Sequence, residues 1–139
     1  MLFRSAVLRV KDGQVNVLVK DTQTGRKVSR LGFDPNYAPI KMAVLSDING
    51  NGSEEVVVFG QRINAGNHKA WVKDGRTGES LSQVFFSKQF AGQDLDVCPD
   101  INGNGSQELV MLGRRESDGK LRAFIKDAKT GELIGRINF

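Results

Sequence analysis

The hydrophobic pattern of the chain consists of short runs separated by turns rich in glycine, asparagine and aspartate. Residues 40–44 alternate between apolar and polar positions, which predicts a half-buried strand. Residues 55–59 are rich in valine and end in phenylalanine, which predicts a strand covered on both faces. Further strands are predicted at 69–73 and 79–86. No window carries a long apolar stripe of helical period, so we expect essentially no helix.

The same pattern recurs with a period of 53 residues. Residues 47–60 return at 100–113 with ten of 14 positions identical, and the element Lys-Asp-x-x-Thr-Gly begins at Lys20, Lys73 and Lys126. Phenylalanine closes each unit, at positions 33, 86 and 139. Four antiparallel strands repeated at this spacing are typical of a β-propeller blade, which must stack on other blades to cover its faces.

This phasing predicts an all-β chain, with a single repeat domain over residues 1–139. A partial blade of three strands covers 3–33 and lacks the innermost strand, whereas two full blades cover 37–86 and 90–139, giving about eleven strands. Propellers close with about 4–8 blades, and the chain holds roughly 2.6 units. We therefore expect the chain to be part of a longer propeller or to self-associate.

The Lys-Asp-x-x-Thr-Gly element predicts a hairpin turn between the third and fourth strands of each unit. Asp21, Asp74 and Asp127 can accept hydrogen bonds from backbone amides just downstream, and the glycine that ends each element can adopt positive φ. We assign these aspartates to turn formation and not to a ligand.

The repeated loop at residue 47 is a candidate metal site. Oxygen-bearing side chains stand at its positions 1, 3, 5 and 9, and position 7 can add a backbone carbonyl. Calcium takes six to eight such hard oxygen ligands, whereas magnesium demands near-ideal octahedral geometry. Position 12 is Val58 or Met111 within a strand pattern, which excludes an EF-hand, since that motif needs a glutamate there. A metal-free polar turn, held by asparagine and aspartate side chains, is the alternative.

These motifs resemble the FG-GAP/VCBS repeat, the blade unit of integrin-α-like β-propellers. The resemblance covers nearly the whole chain and implies that the loop binds calcium, with an extracellular, cell-surface or periplasmic location. It departs from the family at position 5, which is asparagine; at position 9, which is glutamate; and after the Phe-Gly of the second strand, where Gly-Ala-Pro is missing. The ligands carried over, with position 7 acting through its main chain, are Asp47, Asn49, Asn51, Ser53 and Glu55 for one calcium ion, and Asp100, Asn102, Asn104, Ser106 and Glu108 for a second.

The sequence favours a non-catalytic scaffold for structure, adhesion or protein interaction over two other classes. A carbohydrate-binding propeller would need exposed aromatic side chains, for which Tyr37 and Phe90 are the candidates. A quinoprotein-like enzyme propeller is suggested by the Asp-Ala-x-Thr-Gly turn at residue 127, but the outer-strand tryptophan of that family is lacking. His68 is the single histidine, so no common nucleophile–base triad can be assembled. Cys98 is expected to be a buried small apolar residue.

Composition narrows the choice of partners. The formal net charge is +4, but the basic residues are scattered singly and form no stripe with interleaved aromatics, so we expect no nucleic acid partner. No apolar run approaches the ~18 residues of a membrane-spanning helix, so we expect no integral membrane segment. The first five residues lack the features of a signal peptide. The protein or glycan that such a scaffold would bind is not indicated by the sequence.

Overall fold

The computed structural model describes residues 4–139 as eleven strands in three antiparallel sheets. The first sheet contains three strands and the other two contain four each, which confirms the predicted all-β architecture. The first sheet comprises β1 (Arg4–Lys11), β2 (Gln14–Asp21) and β3 (Lys27–Phe33). The second comprises β4 (Tyr37–Leu45), β5 (Glu55–Arg62), β6 (His68–Asp74) and β7 (Ser80–Phe86). The third comprises β8 (Phe90–Cys98), β9 (Glu108–Arg115), β10 (Leu121–Asp127) and β11 (Leu133–Asn138).

Each sheet is a meander in which consecutive strands pair with one another. The predicted partial blade begins at residue 3, which lies outside the described residues; the rest of its range and both full blades coincide with the three sheets. The last two strands of every sheet share a register shift one residue before the Asp-x-x-Thr-Gly turn, at Lys20, Lys73 and Lys126. Within residues 4–139 no helix is formed, and thus none that could span a membrane.

The three sheets stack face to face and enclose two apolar cores. Val58 and Trp71 of the second sheet pack with Val17 and Leu31 of the first. On the opposite side of the second sheet, Phe59 packs with residues of the third sheet such as Met111. Successive side chains of a strand point to opposite faces, so a strand covered by sheets on both sides needs apolar residues at consecutive positions, as β5 has at 56–59. This explains the uninterrupted run predicted at 55–59, whose residues are all buried.

Among residues 4–139, the first sheet has three strands, whereas the other two have four. β1 pairs with β2 as β5 pairs with β6, and no counterpart of β4 precedes it among the described residues. Val44 of β4 is consequently 44% exposed. In the complete sheets, the loop after the first strand and the turn after the third lie at the same end, because antiparallel strands reverse direction at every connection. That end carries the candidate site.

Candidate metal centre

The loop between β4 and β5 is curled by its own side chains. Asp47 Oδ1 accepts a hydrogen bond from the Gly50 amide at 2.7 Å, and Asp47 Oδ2 accepts one from the Gly52 amide at 2.6 Å. Both glycines have positive φ, at 77° and 81°, a region that residues with a Cβ rarely enter. Asn49 Oδ1 accepts the Asn51 amide at 3.1 Å. Positions 1, 3 and 5 therefore shape the loop through their oxygen atoms.

Glu55, at position 9, is fully buried under this loop. Its Oε1 accepts the amides of Ile48 at 2.7 Å and Asn49 at 3.4 Å, while its Oε2 is buried with no hydrogen-bond partner among residues 4–139. Burial raises the pKa of this carboxyl, and the negative charges of Asp74 and Asp47 raise it further, against the two amide hydrogen bonds. A buried carboxylate oxygen without a hydrogen-bond partner is unfavourable unless a cation or a proton accompanies it.

Asp74 ties this loop to the turn between β6 and β7. Its Oδ1 accepts the amides of Arg76 at 2.9 Å and Thr77 at 2.6 Å, which confirms the predicted turn-forming role. Its Oδ2 accepts the side-chain amide of Asn49 at 3.0 Å and also that of Asn51. Burial alone would raise the pKa of this fully buried carboxyl, but the hydrogen bonds outweigh it and lower the pKa to about 2.

The second role of the turn aspartate was not predicted from the sequence. The pairing of β5 with β6 would have indicated this role. The loop ends where β5 begins, and the turn begins where β6 ends. Glu55 and Asp74 are therefore cross-strand partners. The first sheet provides the contrast. Asp21 accepts the amides of Gln23 and Thr24 in the same way, but it is more exposed and no described loop lies beside it.

The third sheet reproduces the arrangement 53 residues later. Asp100 accepts the amides of Gly103 at 2.6 Å and Gly105 at 2.8 Å, and Glu108 Oε1 accepts the Ile101 amide at 2.7 Å. Glu108 Oε2 is again buried without a hydrogen-bond partner in the described chain. The Asp127 Oδ2 atom accepts the side-chain amides of Asn102 at 3.2 Å and Asn104 at 2.7 Å.

The position-7 serines, Ser53 and Ser106, are both buried. Their amides donate to the position-5 asparagines at 2.9 Å in each loop. All ten predicted residues thus lie in two equivalent clusters, with Asp74 or Asp127 added to each. Over residues 4–139, histidine, cysteine, aspartate and glutamate side chains do not by themselves form a group of three or more placed to hold a metal ion. The available donors are instead a mixture of amide, carboxylate and main-chain oxygen atoms.

His68, Cys98 and Trp71, which were also considered in the sequence, make contacts typical of structural residues. His68 is buried, stacks on Phe59 with ring centres 5.8 Å apart, and accepts the Gly92 amide through Nε2 at 3.0 Å. Burial lowers the pKa of His68. Cys98 is half-buried, less than its expected burial, and burial raises the pKa of its thiol, which opposes thiolate formation. Trp71 packs between the first two sheets, as predicted.

The aromatic residues considered for sugar stacking are covered. Tyr37 is 8% exposed and Phe90 is 3% exposed. The Lys69 Nζ atom lies 4.7 Å from the ring centre of Tyr37, and the Arg122 guanidinium lies 5.3 Å from that of Phe90. These cations contact the ring faces that a sugar would need, so neither ring forms an open platform.

The fold defines the class of the chain: four-stranded antiparallel sheets that repeat every 53 residues and stack face to face are β-propeller blades. A solved structure of the Dos1 propeller is similar over 96% of this chain and 34% of that one, with a TM-score of 0.63 and 15% identity. The β-propeller domain of the Trilobed protease from Pyrococcus furiosus matches over 98% of this chain and 38% of that one, with a TM-score of 0.48 and 11% identity.

The chain therefore spans little more than a third of the length of either solved chain. No protein-family model matches the sequence, and no curated protein matches it. At 15% identity the likeness to the Dos1 propeller extends to the fold alone.

Proposed function

We propose that the chain is a calcium-binding, non-catalytic β-propeller segment that serves as a scaffold for structure, adhesion or protein interaction. The observation that carries the proposal is the buried, unpartnered Oε2 atom of Glu55, which recurs at Glu108 in the second loop. A divalent cation would offset the burial of the Glu55 carboxylate and its repulsion by Asp74 and Asp47, which together raise the pKa of Glu55. The resemblance of both loops to the FG-GAP/VCBS repeat supports the same ligand.

The donor set fits calcium by its chemistry. Each loop offers carboxylate, amide and main-chain oxygen atoms, without nitrogen or sulfur, and such donors suit a hard cation. A carboxylate has about four lone-pair sites, so an oxygen of Asp47 that accepts one amide can still ligate an ion. Asp47, Asn49, Asn51, Ser53 through its main chain, and Glu55 would hold one ion, and their counterparts in the third sheet would hold the other. Bound calcium would stabilise the loops.

Calorimetric titration with calcium tests this function. We expect two sites with dissociation constants of about 10⁻⁴–10⁻³ M, the range of extracellular modules, which agrees with an extracellular, cell-surface or periplasmic location. Calcium at about 100 times the dissociation constant should add about 2.7 kcal/mol per site to the free energy of unfolding. Absence of both heat and thermal stabilisation at calcium concentrations up to about 100 mM, one hundred times the upper dissociation constant, would contradict the proposal.

Variants in which a single glutamate is replaced by glutamine test which residues form the two sites. Glu55→Gln should remove one of the two sites, and Glu108→Gln should remove the other. Glu54→Gln is the matched control, because Glu54 is exposed next to Glu55 and the corresponding position of the second loop is already Gln107. Equal loss of binding in the Glu54 and Glu55 variants would show a diffuse charge effect instead of a site.

A further inference from the structure

Each sheet of the chain has two distinct faces. We call the face toward the preceding sheet its front and the face toward the following sheet its back. In the second sheet, Val58 and Trp71 lie on the front, whereas Val57 and Phe59 lie on the back. The same positions can be followed into the third sheet by adding 53, and into β2 and β3 of the first sheet by subtracting 53, whereas positions in β1 are assigned by their pairing with β2.

Within the part of the chain that the structure describes, no sheet packs against the back of the third sheet, although the residues of this face are apolar like those of a core. Val84 and Phe86, on the back of the second sheet, are 0% and 7% exposed, whereas their counterparts Ile137 and Phe139 are 48% and 72% exposed. Three further apolar residues occupy positions equivalent to buried ones on the back of the second sheet: Val110, Leu112 and Ile125. This surface repeats the pattern of an interface that exists inside the same chain.

The front of the first sheet carries the complementary half of that interface. Leu18 stands at the position of Trp71, and it pairs with Val7, which is 59% exposed. The front also repeats a lysine that joins neighbouring sheets. Lys73 Nζ donates to the Gly32 carbonyl at 2.7 Å, and Lys126 Nζ donates to the Phe85 carbonyl in the same way.

Shifting the donor and acceptor positions of this hydrogen bond by 53 residues leaves one further donor, in the first sheet, and one further acceptor, in the third sheet. The remaining donor is Lys20, which is exposed on the front of the first sheet, and the next acceptor is the Asn138 carbonyl of β11. A second hydrogen bond, from a serine of one sheet to the next sheet, has no equivalent donor in the third sheet. Ser29 Oγ donates to the Gly75 carbonyl at 2.6 Å and Ser82 Oγ donates to the Ala128 carbonyl, but the next position is Gly135. The front of the first sheet and the back of the third sheet therefore match each other, with one hydrogen bond fewer than each interface inside the chain.

We propose that the back of the third sheet binds the front of the first sheet of a second copy of this chain. Such a head-to-tail contact forms a ring when its rotation closes. Two copies supply six sheets, within the 4–8 blades of known propellers, whereas three copies would supply nine. The assembly is therefore a closed pair with two identical contacts. This inference does not depend on calcium binding.

Sedimentation equilibrium with EDTA present measures the assembly directly. We expect twice the 15.3 kDa chain mass at micromolar concentrations. Ile137→Glu on the back or Val7→Glu on the front should weaken association by at least about tenfold, since each places a charge in an apolar contact. Ile63→Glu is the control, because Ile63 is 52% exposed and lies in the turn after β5, outside both outer faces. A monomer at high micromolar concentration, or an open series of larger species, would overturn the proposal.

Mixing the two variants distinguishes head-to-tail from back-to-back association. In a head-to-tail pair, the intact front of the Ile137→Glu chain can bind the intact back of the Val7→Glu chain, so the mixture should form heterodimers that neither variant forms alone. Back-to-back association would leave Val7→Glu dimeric by itself and would refute the model. Circular dichroism confirms folding of each variant, and Phe139→Glu replaces Ile137→Glu if β11 is disrupted, because Phe139 lies just after that strand.

Discussion

Replacing Asp74 by asparagine should separate its two roles, in the turn and in the loop. Asparagine has one carbonyl oxygen, which can keep either the turn amides of Arg76 and Thr77 or the side-chain amides of Asn49 and Asn51, but not both. In either orientation at least two of these donors lose their acceptor. Hydrogen bonds to a charged group contribute about 1.5–3 kcal/mol each, and two that share one oxygen contribute less than their sum.

The pKa of Asp74 gives a second way to work out how far Asp74→Asn should lower the free energy of unfolding. The value of about 2 lies roughly two pKa units below the ordinary value of 3.8 for an aspartate, and each unit corresponds to about 1.36 kcal/mol, so the folded protein favours the charged form by about 2–3 kcal/mol. Both routes predict that Asp74→Asn lowers the free energy of unfolding by about 2–3 kcal/mol. Asp21→Asn, which changes the same turn in the sheet without a described loop, should produce only a small fraction of that change.

Urea unfolding in EDTA measures both variants against the parent chain, with the slope compared to confirm that the denatured state is unchanged. The pH dependence has a defined sign. Because folding lowers the pKa of Asp74, its stabilising contribution is complete above pH 3.8 and is lost as the pH falls toward 2. The difference between parent and Asp74→Asn should shrink over that interval. Equal destabilisation by the Asp21 and Asp74 variants would refute the bridge between turn and loop.

Two further predictions concern the loop backbone and the core between the second and third sheets. Gly52→Ala should cost about 1 kcal/mol in urea unfolding, because φ is +81° although the space around it is open, whereas Gly32→Ala, also in open space but without positive φ, should stay within about 0.5 kcal/mol of the parent. Burial lowers the pKa of His68, so the parent should lose stability as the pH falls below about 6.5, and His68→Gln should remove that dependence. Identical pH profiles for the two proteins would contradict the second prediction.

Much of the fold was predictable from the sequence because the pattern of strands and turns occurs more than once along the chain. The valine run of β5 indicates two covered faces, and the structure places a sheet on each side of it. The second role of Asp74 was not predictable from its own motif, because it depends on strand register. Cys98 was expected to be buried like its counterpart Leu45, which is 1% exposed. It is only half-buried, because it lies in the third sheet, whose back no described residue covers.

The candidate site and the stacking of the sheets belong to one connected network. Next to Asp74, the Gly75 amide donates to the Glu54 carbonyl of the loop at 3.0 Å, and the Gly75 carbonyl accepts Ser29 Oγ from the first sheet at 2.6 Å. In the third sheet, Ala128 joins the Gln107 carbonyl and Ser82 Oγ in the same way. Each loop is thus bonded to its turn, and each turn to the preceding sheet. Because these contacts connect each loop to its turn and each turn to the preceding sheet, an ion that ordered the loop, as proposed above for calcium, would also stabilise the two interfaces between the described sheets.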